Sequence, residues 1–417
     1  MAYLLLGKLY YSNQSEYAQT YKMRFESDDT IKLNFFIAQK QAFFVQNTEV
    51  LKLAYEIVKL DKSVSSLSAA LPGIAKEQYS KKCLIDEIVL TNKIEGVHSS
   101  RKEIDEALEI LEKQAFEKGK HLHFIGLANK YLKLMTKEKI SLDKCQDIRD
   151  IYDELFLEEV IAENPQHAPD GKIFRKEITT IHSETDKIIH RGLYPESEII
   201  TAIENALAFL NDSTVDFLYR ACIFHYLIEY IHPFYDGNGR LGRFILSYCL
   251  SEILEPLLSY RISETIKENI NTYYKAFQIC NDPHNLGDLT PFLLMLLNMI
   301  YDALNELNDS LTRKRIRWDK YEKLVSSFPE ISNSDTRKMY SYLIQAALFS
   351  EKGISTAELK MSFNDSYYTV RKILEQIKPE LLISKMHGKS KYYQINLSVL
   401  DSMLLDNEMD RINFKNF

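Results

Sequence analysis

Residues 232–243 read HPFYDGNGRLGR, a glycine-rich loop between two segments whose apolar residues recur at helical spacing. We predict that one helix ends near Tyr230 and that a second begins at Gly239 or Arg240, so the loop joins two helices. Gly237 and Gly239 permit a backbone with positive φ, whose N–H groups can turn inward beside the positive end of the second helix. This arrangement is typical of an anion-binding nest.

Side chains of the same loop supply chemistry that suits phosphate groups. Arg240 and Arg243 are three residues apart in a first helical turn, so both guanidinium groups face the same side. Asp236 offers a hard oxygen for Mg²⁺, which commonly binds through one or two carboxylates together with substrate phosphates. His232 can accept a proton near neutral pH. The apolar Phe234 is predicted to anchor the loop to the core, and the combination favours a phosphate-handling active site over a simple helix cap.

The loop resembles the HxFx[D/E]GNGRxxR motif of the Fic (Fic/DOC) family at every defining position. The resemblance implies a mainly α fold, with a Fic-type helical bundle core and a small β-hairpin flap. Residues 173–181 and 187–193 have short β-compatible runs that could pair as this hairpin. It also implies a protein adenylyltransferase that transfers AMP from Mg·ATP to a Ser, Thr or Tyr hydroxyl of a target protein. His232 would be the catalytic base, and Asp236 would hold Mg²⁺. The nucleotide would be bound by Gly237, Asn238, Gly239, Arg240, Arg243, Tyr274 and Asn281.

Residues 91–96 read TNKIEG and are similar to the inhibitory [S/T]xxxE[G/N] motif found in one class of Fic proteins. They lie at the end of an amphipathic helix predicted at about residues 76–96. The resemblance implies that Glu95 pairs with Arg243, the residue assigned to the γ-phosphate, and restrains the enzyme. Some family members use the same loop to remove AMP, so an AMP-removing hydrolase is an alternative function.

Residues 335–400 form a separate C-terminal module whose predicted order of helices and hairpin is similar to a winged helix-turn-helix. The module carries ten Lys and Arg against six Asp and Glu, with Arg371 and Lys372 on the second of its paired helices. Both DNA binding and protein docking are compatible with this modest excess of positive charge. A DNA-binding regulator with a nucleotide-sensing Fic core is therefore a second alternative, although a sensor would need no proton acceptor at His232.

The 417 residues suffice for two or three domains. A hydrophobic content of 45% excludes a disordered chain, and a net charge of −7 offers no general attraction for nucleic acid or anionic lipid. The predicted divisions are an N-terminal helical region (1–110), a Fic catalytic core (111–325), a linker (326–334), the winged-helix-like module (335–400) and a tail (401–417).

The five cysteines are scattered and form no CxxC pair, which argues against a disulfide framework or a zinc site. The N-terminal stretch lacks the basic segment and apolar length of a signal peptide, and no later run has the length of a membrane span. We therefore expect a cytoplasmic protein. Its expected partners are target proteins with an acceptor hydroxyl, including the chain itself, and a homodimer is compatible with the sequence.

Overall fold

The chain is described from a computed structural model that covers residues 3–114, 128, 139–182, 188–388 and 390–415. Helices dominate these ranges, which also contain two sheets of two strands and one sheet of three. The expectation of a mainly α fold is confirmed.

The helices before the loop at residues 232–243 are α1 (Leu6–Ser12), α2 (Gln14–Phe25), α3 (Thr48–Ala69), α4 (Gly73–Ile94), α5 (Arg101–Gln114), α6 (Cys145–Tyr152), α7 (Glu158–Glu163), α8 (Glu196–Leu210) and α9 (Phe217–Ile231). Those that follow it are α10 (Asn238–Ile253), α11 (Pro256–Ser259), α12 (Ile262–Glu268), α13 (Ile270–Asn281), α14 (Thr290–Val325), α15 (Ser334–Phe349), α16 (Thr356–Phe363), α17 (Tyr367–Leu374) and α18 (Leu397–Lys415). The strands are β1 (Thr30–Ile37), β2 (Lys40–Val45), β3 (Thr180–His182), β4 (Ile188–Arg191), β5 (Ile354–Ser355), β6 (Leu382–His387) and β7 (Ser390–Ile395).

The two helices that flank the loop are largely buried. Asp216 begins α9 by accepting a hydrogen bond of 2.9 Å from the Leu218 N–H, and most side chains of α9 are buried. Most of α10 is buried as well, including Arg240 and Arg243. The helix-loop-helix arrangement therefore agrees with the sequence, except that α10 begins one residue earlier, at Asn238.

The N-terminal region contains a β-hairpin where only helices were expected. Strands β1 and β2 pair antiparallel, with Ile37 opposite Lys40 at the turn. The turn residues Ala38 and Gln39 have φ angles of 46° and 66°, as a type I′ turn requires. Because neither is the Asn or Gly that usually marks such a turn, the sequence carries no clear hairpin signal here.

The hairpin predicted upstream of the loop is present, but its first strand is shorter than expected. Strands β3 and β4 pair antiparallel, with Thr180 opposite Arg191. Residues 173–179 were predicted to belong to the first strand but are irregular before β3 begins. The tip of the hairpin, residues 183–187, lies outside the described residues.

In the C-terminal module, the sheet has the strand order β5-β7-β6, and both of its strand pairs are antiparallel. Helix α15 precedes β5, while α16 and α17 lie between β5 and β6 along the chain. The elements therefore follow the order expected from the sequence. The winged-helix class of the module stays a prediction.

Contacts divide the chain into two compact units, one formed by Met1–Lys62 and Leu84–Asn305 and the other by Ser63–Cys83 and Glu306–Phe417. The divisions fall inside α3, α4 and α14, so each unit is discontinuous in sequence. The contiguous domains proposed from the sequence stay predictions. None of the helices in the described ranges combines the length and apolar character needed to cross a membrane.

Glu196 explains why the chain before β3 is irregular, because its carboxylate binds backbone groups that a strand would otherwise use. The N–H groups of Lys172, Ile173 and Phe174 donate to it at 3.0, 2.7 and 2.9 Å. Burial opposes ionisation, but these bonds lower the pKa of Glu196 below its ordinary value. A carboxylate in the first turn of α8 thus shapes a loop more than twenty residues upstream.

We predict that Glu196→Ala lowers the free energy of unfolding by about 2 kcal/mol, because hydrogen bonds to charged groups contribute about 1.5–3 kcal/mol. Folding lowers the pKa of Glu196, so the loss of unfolding free energy should be complete at pH values above the pKa of this residue in the unfolded chain. The loss should shrink as pH falls through the pKa of Glu196 in the folded protein. Urea unfolding at several pH values measures it. Glu198→Ala is the matched control, because exposed Glu198 shares the first turn of α8. Equal losses in the two variants would contradict the assignment.

Candidate active site

The candidate active site is built on the loop between α9 and α10. Helix α9 ends at Ile231, and His232 follows in the left-handed conformation, with φ 53° and ψ 63°. This backbone is uncommon for a residue with a Cβ atom. Gly237 is also left-handed, with φ 79°, and forms the N-cap of α10. The loop therefore places the N-terminal turn of α10, with its N–H groups and partial positive charge, beside His232.

Phe234 and Asn238 fix this loop to the core. The ring of buried Phe234 stacks on Tyr152, with centroids 3.6 Å apart and planes inclined by 6°. Asn238 Oδ1 accepts a hydrogen bond of 2.9 Å from the Phe234 N–H, and Asn238 Nδ2 donates to Phe234 O at 2.8 Å. The Asn238 side chain is thus a brace for the loop. Because both polar side-chain atoms of Asn238 bind Phe234, Asn238 would contact a phosphate through its backbone N–H.

The His232 imidazole is neutral at pH 7. Burial, together with the smaller electrostatic effects of neighbouring His190 and Arg175, lowers its pKa to about 3. Among the described residues, no group forms a hydrogen bond with His232 Nδ1. The ring is therefore in the protonation state that a general base requires.

Arg240 is buried and held by a carboxylate from α7. Its Nη1 atom donates a hydrogen bond of 2.6 Å to Glu159 Oε1, and its side chain is 1% exposed. The guanidinium carbon lies 4.9 Å from the centroid of the Phe156 ring. Burial and the aromatic ring strengthen the electrostatic effect of this cation, since less water screens it.

Arg243 contacts two residues near the end of α4. Its Nη2 atom lies 2.7 Å from Glu95 Oε1, while Nε donates to Thr91 Oγ1 at 2.9 Å and Nη2 donates to Thr91 O at 3.2 Å. Burial acts to lower the pKa of Arg243, but the Glu95 carboxylate keeps it above its ordinary value. Thr91 and Glu95 are four residues apart, so both reach one guanidinium from one face of the helix.

The approach of Glu95 to the loop depends on two glycines. Helix α4 ends at Ile94, and Gly96 follows with φ 76°, a conformation that terminates helices readily only when no Cβ is present. On the opposite side, a Cβ at Gly239 would collide with Glu95 Oε1. Gly239 therefore leaves the space that the carboxylate occupies.

A sequence profile of the Fic/DOC family matches residues 142–250, which include the whole loop at residues 232–243. This segment of the chain is therefore similar to the Fic/DOC family. A probable protein adenylyltransferase from Aquifex aeolicus is 46% identical over 59 residues, which cover 14% of this chain and 18% of that protein. A protein adenylyltransferase from Caenorhabditis elegans is 34% identical over 98 residues, covering 23% of this chain and 18% of the relative. The matches thus span less than a fifth of these relatives.

The fold comparison extends beyond this segment. The crystal structure of a Fic family protein from Desulfovibrio desulfuricans G20 has a TM-score of 0.51 and 19% sequence identity to this chain. The alignment covers 84% of this chain and 96% of that one. At 19% identity, this similarity shows a shared fold only. The roles of individual residues depend on the geometry of the site.

Asp236 is the residue of the Fic domain that we predicted to bind Mg²⁺. Its Oδ1 atom accepts a hydrogen bond of 2.6 Å from the Gly237 N–H, and Oδ2 lies 3.9 Å from His167 Nδ1 with the side chain 40% exposed. In the described part of the chain, no group of three or more His, Cys, Asp or Glu residues could hold a metal. A single exposed carboxylate fits a cation whose other ligands are phosphates and water. The magnesium role stays a prediction.

Tyr274 and Asn281 both lie on α13, which follows the matched Fic/DOC segment in the chain. Tyr274 is 46% exposed, and Asn281 Oδ1 accepts a hydrogen bond of 2.6 Å from the Tyr226 hydroxyl. Asn281 Nδ2 is also 3.5 Å from Nδ1 of His190 in β4. Their assignment to an adenine pocket stays a prediction.

Two buried acids near Arg243 were missed in the sequence because they belong to no motif. Glu87, on α4, accepts hydrogen bonds from Ser263 Oγ at 2.6 Å and Ser263 N–H at 2.9 Å. Burial raises the pKa of Glu87 to about 7 and that of Glu229 to about 8. Glu229 is therefore largely protonated at pH 7, whereas the Glu95 carboxylate makes the close contact with Arg243, at 2.7 Å.

Glu159 was also missed, since 81 residues separate it from Arg240. We predict that Glu159→Gln strengthens Mg·ATP binding roughly fivefold, or about 1 kcal/mol, because it removes a negative charge that competes with phosphate for Arg240. Isothermal titration calorimetry measures the affinity. Glu163→Gln, an exposed change on the same helix, is the control. Weaker binding in Glu159→Gln would mean that Glu159 orients Arg240 for the phosphate.

Proposed function

We propose that this Fic protein is a protein adenylyltransferase that transfers AMP from Mg·ATP to a Ser, Thr or Tyr hydroxyl, and that Glu95 restrains it. One observation carries the proposal: neutral His232 lies within residues 232–243 together with left-handed Gly237, the N-terminal turn of α10 and two buried arginines. A proton acceptor beside a polyphosphate site suits attack of a hydroxyl on phosphorus. The curated relatives are named protein adenylyltransferases, which supports the same reaction class.

In the proposed reaction, the acceptor oxygen forms a bond to the α-phosphorus while the bond to the bridging oxygen of the β-phosphate breaks. His232 accepts the hydroxyl proton, and pyrophosphate leaves. N–H groups at the start of α10 stabilise negative charge on the α-phosphate, because they point toward it before the reaction begins. Arg240 and Arg243 bind the β- and γ-phosphates, respectively.

Asp236 would hold Mg²⁺, which would neutralise phosphate charge when bound. The strands of the β3–β4 hairpin would accept a segment of the target by backbone pairing, which places a hydroxyl near His232. Both roles follow from the position of these elements beside the loop. The whole-chain activity, the targets and the acceptor residue type are part of the proposal.

Glu95 is proposed to inhibit by occupying the guanidinium that the γ-phosphate needs. The carboxylate lies 2.7 Å from Arg243 Nη2, so it and the terminal phosphate compete for the same guanidinium group. ATP bound without this contact would have a displaced α-phosphorus. A misplacement of about 1 Å can cost on the order of a hundredfold in rate, so one ion pair is sufficient to keep the enzyme slow.

We predict that Glu95→Gly raises AMP transfer, including self-modification, by at least about tenfold, because it frees Arg243 for the γ-phosphate. Incorporation of label from α-labelled ATP measures the rate. Asp86→Asn is the control, since Asp86 lies on the same helix but pairs with Arg101. Equal rates in wild type and Glu95→Gly would reject the inhibitory role. Loss of an AMP-removing activity in Glu95→Gly would instead favour the hydrolase alternative.

We predict that His232→Ala in the Glu95→Gly background lowers AMP transfer by about 10²–10⁴-fold, the usual contribution of a general base. The affinity for Mg·ATP should change little, because other residues hold the phosphates. Transfer assays and calorimetry on the same preparation separate the two effects. Undiminished transfer would remove His232 from the mechanism.

A further inference from the structure

Arg175 is a fully buried arginine in the irregular chain before β3. Its three side-chain nitrogens each donate to a backbone carbonyl: Nε to His232 O at 2.9 Å, Nη1 to Glu177 O at 2.6 Å and Nη2 to Leu193 O at 2.8 Å. Burial lowers its pKa, and no carboxylate of the described residues forms an ion pair with it. The charge is thus solvated by peptide dipoles.

The three carbonyls belong to segments that the proposed reaction must align. His232 terminates α9, Leu193 lies just after β4, and Glu177 lies just before β3. Backbone hydrogen bonds join the same segments, from Leu193 N–H to Ile231 O at 3.0 Å and from Arg175 N–H to Pro233 O at 3.3 Å. One side chain therefore fastens both ends of the hairpin to the residue proposed as the base.

Gly192 shows how closely these parts are packed. A Cβ at this position would collide with Arg175 Nη2 and would lie 3.0 Å from His232 Cβ. The Gly192 N–H also donates to Thr179 O at 3.1 Å, which closes the base of the hairpin. The hairpin thus meets the guanidinium and the proposed base with no room for an additional methyl group.

Arginine is suited to this position by the shape of its side chain. The planar guanidinium directs donors along several fixed directions, whereas a lysine ammonium is a compact charge on a flexible stem. A buried cation is unfavourable unless its hydrogen bonds are complete. An apolar residue would fill the space without that penalty but would hold none of the three carbonyls.

We propose that Arg175 is a positioning residue that sets the spacing between the β3–β4 hairpin and His232, and so aligns an acceptor hydroxyl with the base. The proposal rests on the proposed function, since it assigns the alignment of that reaction to one side chain. Arg175 contacts none of the groups assigned to the phosphates. Its loss should therefore affect the rate of transfer and leave nucleotide binding intact.

The test uses the full chain with Glu95→Gly, to which Arg175→Lys or Arg175→Met is added. Self-modification at saturating Mg·ATP should fall on the order of a hundredfold in Arg175→Met and less in Arg175→Lys, while the Kd of Mg·ATP changes less than about twofold. Arg220→Lys is the matched control, because Arg220 also binds backbone carbonyls, of Leu210 and Val215, at the opposite end of α9. Unchanged transfer in both Arg175 variants, or parallel losses of transfer and ATP binding, would overturn the proposal.

Two further arms keep the test decisive if an Arg175 variant folds poorly or the parent transfers no AMP. Gly192→Ala displaces the hairpin from His232 while Arg175 remains, and it should reproduce the loss of rate. The His232 imidazole resonance, identified by its disappearance in His232→Ala, should shift in Arg175→Lys and Gly192→Ala but not in Arg220→Lys. An unshifted resonance would overturn the positioning role, whereas a shift without transfer in the parent would reject only the proposed function.

Discussion

The burial of the Arg243 guanidinium is the constraint on which the rest of the site depends. A cation that is 1% exposed requires a counter-charge or complete hydrogen bonding. Burial raises the pKa of nearby Glu229 to about 8, while the Glu95 carboxylate forms the direct ion pair, 2.7 Å from Arg243 Nη2. A nucleotide phosphate would offer the same guanidinium another counter-charge. In the proposed function, inhibition by Glu95 and nucleotide binding would therefore be alternative ways to satisfy a single buried cation.

The three buried arginines near the loop are satisfied in three different ways. Arg243 has a partly exposed carboxylate and the hydroxyl and carbonyl of Thr91. Arg240 has Glu159 and an aromatic ring, and Arg175 has carbonyl oxygens alone. Carboxylates can be exchanged for phosphates, whereas backbone carbonyls cannot leave without moving the chain. This difference suits Arg240 and Arg243 to ligand binding and Arg175 to holding geometry.

Local sequence was sufficient to predict the parts of the site whose residues are neighbours in the chain. The glycine positions, the arginine spacing and the helices on either side of His232 follow from turn chemistry and helical periodicity. Glu159 and the carbonyls around Arg175 come from distant segments, and they are set by packing that no local pattern encodes. The β1–β2 hairpin was missed for another reason, since Ala38 and Gln39 adopt left-handed backbones usually taken by Gly or Asn.

Glu87, inside α4, and Glu95, just past its end, differ in a way that bears on the proposed inhibition. Glu87 is fully buried and receives two hydrogen bonds from Ser263, so its release would expose the core. Glu95 is 30% exposed and lies just past the end of the helix at Ile94, where its N–H donates to Asn92 O at 3.1 Å. In the proposed mechanism, a phosphate would displace a partly exposed side chain that lies beyond the helix. Glu87 would hold α4 in place through Ser263, so Glu95 would stay close to Arg243 and return when the phosphate leaves.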